Sequence, residues 1–162
     1  MTTDVSHPAE TTKVYRVYIR ATPQAIWDAI TRPEWTRRYG YQGLAEYDLR
    51  PGGRYRAVAP EELRQAGMVE VPVEGEVLEV DPPVRLVQTW RATWLDEPAT
   101  RLTYEIQELR DGVCSLTVTH ELAGAPQTMA QVTGAVPGAG GGWAEVLSDL
   151  KTLLETGRGL YA

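Results

Sequence analysis

His120 is the side chain in this sequence best placed for chemistry near neutral pH, because an imidazole there both exchanges a proton and bonds through either nitrogen. It ends a run, Cys114, Leu116, Val118 and His120, whose alternate residues share one strand face. Leu102, Tyr104 and Ile106 form a second such face, and Leu86, Gln88 and Trp90 a third. If the three faces line an interior, Gln88, Trp90, Tyr104 and His120 place polar atoms among apolar walls, the usual makeup of a small-molecule site. Trp35, Tyr39 and Tyr55 are expected near its mouth, and Trp143 and Leu147 complete the candidate set. Any catalytic acid–base role falls to His120. The plainer alternative is that these aromatics fill a core and that an inward histidine is simply hydrogen-bonded.

Other chemistries find no support. Gly138-Ala139-Gly140-Gly141-Gly142-Trp143 is rich in glycine, but Trp143 replaces the third glycine of the dinucleotide pattern and no Gly-Lys-Ser/Thr follows. His120-Glu121 begins a zinc-protease pattern, yet Gly124 stands where its second histidine belongs. Ser115 and Ser148 lack the surroundings of a nucleophile elbow, and Cys114 sits among apolar residues as an inert thiol would. With His7, His120 and a single cysteine, no zinc-type ligand set assembles, and neither metal nor cofactor is expected. A net charge of -6 with scattered Lys and Arg disfavours a nucleic-acid surface. No apolar run is long enough to span a bilayer and residues 1–12 lack the pattern of a signal peptide, so a soluble, cytoplasmic protein is expected.

The elements that must position these side chains are well marked. From Gly142 to Gly157, Trp143, Val146, Leu147, Leu150, Leu153 and Leu154 recur at helical spacing, while Glu145, Ser148, Asp149, Lys151, Thr152 and Glu155 take the other, wet face. Gly157 offers a left-handed cap. At the other end, Lys13 to Arg20 alternates as a strand, and Thr22-Pro23 opens a helix ending near Thr31. A second short helix is expected from Pro33 to about Tyr39. Three hairpins follow: Leu44–Leu49 with Arg54–Val58, Val71–Val80 with Arg85–Thr93, and Arg101–Leu109 with Val113–Leu122. Their turns are Arg50-Pro51-Gly52-Gly53, Asp81-Pro82-Pro83 and Arg110-Asp111-Gly112. Pro60 to Gly67 reads as a helical turn or a lid, and Ala123 to Gly142 as a mobile stretch with a short helix around 127–132. The class is α+β: residues 1–12 are a disordered lead, and 13–158 form one domain with helices on one face of a seven-stranded antiparallel sheet.

Several segments together resemble a known superfamily. They are Thr22-Pro23 with Ile26 to Thr31, Tyr47 to Tyr55, Glu74 to Pro83, Leu86 to Trp90, Leu116 to His120, and Gly142-Trp143. In their order they are similar to the SRPBCC (START-like) superfamily, and more narrowly to bacterial homologues of the activator of heat-shock chaperone ATPase, over Val14 to Leu154. The resemblance implies the helix-grip fold, in which a curved sheet wraps the long C-terminal helix and leaves a cavity between them. That superfamily includes carriers of lipids and hormones, polyketide cyclases and aromatases, and chaperone activators, so fold alone names no function.

The expectation is a binding protein for a small hydrophobic or aromatic molecule, as a monomer or homodimer. The alternatives are a cyclase or aromatase with His120 as acid–base and Tyr104 or Gln88 polarising a carbonyl, and an activator of a chaperone ATPase.

Overall fold

The computed structural model describes residues 10–161. Most of the lead expected over 1–12 therefore lies outside the described residues, and strand β1 (Thr12–Arg20) begins one residue before the expected start. Thr22 caps helix α1 (Pro23–Thr31), its hydroxyl accepting from the Ala25 amide at 3.1 Å. Helix α2 is shorter than its spacing predicted, spanning only Pro33–Thr36. Two tertiary contacts explain the early stop: the Tyr39 hydroxyl reaches the Ala29 carbonyl at 2.8 Å, and the Gly40 amide donates to Asp149 at 2.8 Å.

The remaining strands are β2 (Leu44–Tyr47), β3 (Arg54–Val58), β4 (Val73–Asp81), β5 (Arg85–Ala92), β6 (Thr100–Glu108) and β7 (Val113–Glu121). They pair antiparallel in the order β1-β7-β6-β5-β4-β3-β2, so the first strand runs the length of the last, from Thr12 opposite Glu121 to Arg20 opposite Val113. In the β6–β7 turn Asp111 and Gly112 both take positive φ, 55° and 78°, as a tight Asp-Gly hairpin requires. A register shift between Val77 and Glu79 puts a bulge in β4, which bends the sheet. Helix α3 (Glu61–Gln65) occupies the β3–β4 connection, and α4 (Pro126–Val132) follows β7.

Helix α5 (Gly142–Thr156) closes the fold, and Gly157 at φ 84° donates its amide to the Leu153 carbonyl as a left-handed cap. Leu147, Leu150 and Leu153 are buried, and Leu147 and Leu150 join a core with Ile19, Ile26, Leu86, Leu102 and Leu116. Asp149 departs from its expected wet face. Its carboxylate is buried and accepts from the Gly40 and Leu160 amides at 2.8 Å each, tying the helix to the turn after α2 and to the chain beyond α5.

The stretch before α5, expected to be mobile, is held at several points. Tyr41 donates its hydroxyl to the Ala139 carbonyl at 3.1 Å, and the Gly141 amide donates to Glu145 at 3.0 Å. Gly142 has φ 69°, and a Cβ there would lie 2.2 Å from the Val132 carbonyl oxygen, so only glycine lets the end of α4 approach the start of α5 this closely.

Candidate functional site

Ala45 and Ala57 face each other across β2 and β3, and Tyr47 faces Tyr55 two pairs further on. Small residues at the first pair leave space that a tightly packed interior would fill. Helix α5 packs beside β1, α1 and α4 and leaves the β2–β4 end of the sheet less covered. The result is a cavity of about 610 Å³ between sheet and helix, within the range of small-molecule sites. Trp143, Val146, Leu147 and Leu150 form its helical wall, and Tyr47, Tyr55, Trp90, Tyr104 and Leu116 its sheet wall. Leu63, Met68 and Val69, on and after α3, join Tyr41 and Trp94 as further lining, and all but Leu63 are exposed, forming an apolar rim.

Of the nine candidates read from the sequence, Tyr39, Tyr55, Trp90, Tyr104, Trp143 and Leu147 line this cavity together. Gln88 and His120 are fully buried behind the wall, each bonded to a lining residue. Trp35 lies elsewhere, half-buried with the Arg38 guanidinium 4.9 Å from its ring centre. Sequence reasoning missed Tyr47 and Trp94, and although it read Pro60 to Gly67 as a helical turn or a lid it did not name Leu63, Met68 or Val69 as lining. For Tyr47 the signal existed, since it ends a strand two residues from inward Ala45. The α3 contribution depends on how a loop folds back, which no periodicity records.

His120 is held at both nitrogens. Trp143 Nε1 can only donate, and it lies 3.1 Å from His120 Nδ1, so Nδ1 accepts and the ring proton sits on Nε2. Nε2 then donates to Thr100 Oγ1 at 2.7 Å, and Thr100 donates onward to the Trp90 carbonyl at 2.9 Å. Burial pushes the imidazole pKa down to about 4, so it is neutral at pH 7. The rings of Trp90 and Trp143 meet it edge-on, with centroids 5.5 Å and 6.1 Å away. The chain Trp143–His120–Thr100–Trp90 thus fixes two lining indoles and leaves neither imidazole nitrogen free for a ligand.

Four tyrosines converge on the same space. Tyr47 donates to Gln88 Oε1 at 2.5 Å and stacks on Tyr55 with ring centres 4.6 Å apart. Burial raises the pKa of Tyr39, Tyr47, Tyr55 and Tyr104 above the ordinary phenol value, and for all but Tyr55 neighbouring phenols add to the effect. All four are neutral hydrogen-bonding groups at pH 7. Among the described residues no Asp, Glu, Lys, Arg or His lines the cavity. Among the described residues no cluster of three or more His, Cys, Asp or Glu is positioned to hold a metal, and no helix is long and apolar enough to cross a membrane. Cys114 is buried, and burial raises its thiol pKa, as befits an inert core residue.

A seven-stranded antiparallel sheet gripping a C-terminal helix over an apolar cavity defines a helix-grip protein of the SRPBCC class. The chain belongs to the family described as activator of Hsp90 ATPase homolog 1-like protein, whose model matches residues 20–155. No curated protein matches the sequence. Among solved structures it is similar to PFC0360w, an Hsp90 activator from Plasmodium falciparum, at 18% identity and TM-score 0.65 over 90% of this chain and 96% of that one. The Aha1 dimer from Colwellia psychrerythraea gives 17% identity and TM-score 0.67 over 91% and 98%. DynU16, a protein of the dynemicin biosynthetic locus, gives 21% identity and TM-score 0.68 over 92% of this chain and 49% of its own, so this chain spans about half of it. Likeness at these identities establishes the fold.

Proposed function

We propose that this protein binds a small hydrophobic or aromatic molecule in the cavity between the sheet and α5, as a non-catalytic binding protein of the cytoplasm. The observation that carries this reading is the cavity itself: about 610 Å³, walled by Trp, Tyr and aliphatic side chains, with neutral hydroxyls as its principal polar groups. Filling it would bury apolar surface now exposed to water, worth about 25 cal/mol per Å² before the costs of association. The apolar rim of Tyr41, Met68, Val69 and Trp94 is the entrance. Binding is favoured over cyclase chemistry because His120, the one candidate acid–base, has both nitrogens engaged by protein. Native mass spectrometry of the purified protein, followed by Trp fluorescence titration with any co-purifying molecule, tests the proposal. A bound small molecule that quenches saturably supports it, and absence of saturable quenching by any apolar aromatic compound overturns it.

The family description and the Plasmodium activator favour a second reading, stimulation of a chaperone ATPase. Adding the protein to an Hsp90 ATPase assay decides this, since an unchanged rate at saturating protein ends the idea.

A further inference from the structure

The cavity wall carries more information than its size. Among the described residues, every polar side chain that lines it is a neutral hydroxyl, amide or indole. An ionised ligand would therefore leave water with no counter-charge to meet it, which disfavours its entry. The phenol groups differ among themselves. Tyr39 donates to the Ala29 carbonyl and Tyr47 to Gln88, so both are already engaged. Among the described residues, Tyr55 and Tyr104 have no hydrogen-bond partner for their hydroxyls, and no sealed side-chain polar atom of those same residues lacks one. These two hydroxyls thus open onto the cavity that their residues line. Tyr104 is set in place by its ring, which meets Trp143 edge-on at 6.0 Å, and Tyr55 by its stack on Tyr47.

We infer that the cavity selects an uncharged aromatic molecule bearing an oxygen acceptor such as a carbonyl, which Tyr55 and Tyr104 position by donating their phenol hydrogens. This rests on the small-molecule reading and narrows its ligand class. Three probes of nearly one shape separate the contributions: fluorene, 9-fluorenone and 9-fluorenone-2-carboxylate, each titrated at pH 7 against the intrinsic Trp fluorescence of the whole chain. Fluorenone is expected to bind about fivefold or more tightly than fluorene, the range of one net hydrogen bond, and at least tenfold more tightly than its carboxylate. Tyr55→Phe and Tyr104→Phe, checked for an unchanged circular dichroism spectrum, should each reduce the fluorenone-to-fluorene ratio. If a variant does not fold, the ratios among the three probes on the wild type still decide the matter. Equal binding of fluorene and fluorenone, or a carboxylate that binds as well as the ketone, overturns the inference while leaving small-molecule binding intact. Failure of all three probes to bind overturns both.

Discussion

Trp143 Nε1 donates to His120 Nδ1 across 3.1 Å, joining the first turn of α5 to β7 at the cavity wall. The bond fixes the imidazole tautomer and the indole position together. Replacing His120 by Leu keeps an apolar side chain in the space but leaves the Trp143 N–H without its acceptor. His120→Leu should therefore lose about 1 to 3 kcal/mol of stability in urea denaturation, the cost of an unmade buried hydrogen bond. A variant as stable as the wild type would contradict the structural role assigned to this residue.

The same histidine sets a pH dependence. Its pKa is about 4 in the folded protein against 6.5 when unperturbed, so between those values the unfolded chain binds a proton that the folded one excludes. Stability must then fall as pH drops from about 6.5 toward 4, by about 3 kcal/mol over the window, and flatten with respect to this group below it. The carboxylates of Glu145, held low by the Gly141 amide, and Glu155, held low by Lys151, act only at the acid end of this window and below it, losing their contribution as pH falls from about 4.5. Denaturation midpoints at pH 7.0 and 5.0 should accordingly differ more for the wild type than for His120→Leu. Equal pH slopes in the two proteins would show that His120 is not the group responsible.

Helix α5 should respond at two neighbouring positions for different reasons. Leu150→Ala removes a side chain that is 1% exposed and should cost about 2 to 5 kcal/mol, the range for large-to-small core changes. Asp149→Ala strips the acceptor from the Gly40 and Leu160 amides and should cost about 1.5 to 3 kcal/mol, where a solvent-facing aspartate would cost almost nothing. Thermal or chemical denaturation of both variants checks the pair, and a silent Asp149→Ala would mean that its two hydrogen bonds carry no stability.

Asp149 also marks how far the sequence could be read. Turn signals such as Asp111-Gly112, the Thr22 cap and the Leu147–Leu150 stripe are local, so they announced the hairpins, α1 and α5 correctly. A helical wheel puts Asp149 on the polar face, because the amides that bury it come from Gly40 and Leu160, and helical periodicity does not encode either contact. The cavity divides the same way. Strand parity turned Gln88, Trp90, Tyr104 and His120 inward, but only the packing decided that Trp90 and Tyr104 would line open space while Gln88 and His120 supported them from behind. Trp94, Met68 and Val69 lie in connections, where no period exists to be read.

The central claim, a ligand seated between sheet and helix, is tested most directly by the indole N–H signals of the five tryptophans in a ¹H–¹⁵N NMR titration with 9-fluorenone. Trp90, Trp94 and Trp143 line the cavity, whereas Trp27 is packed in the core and Trp35 lies under Arg38. Saturable shifts confined to Trp90, Trp94 and Trp143 are the predicted result. Shifts centred on Trp27 or Trp35, or five unmoved signals at saturating probe, would contradict it.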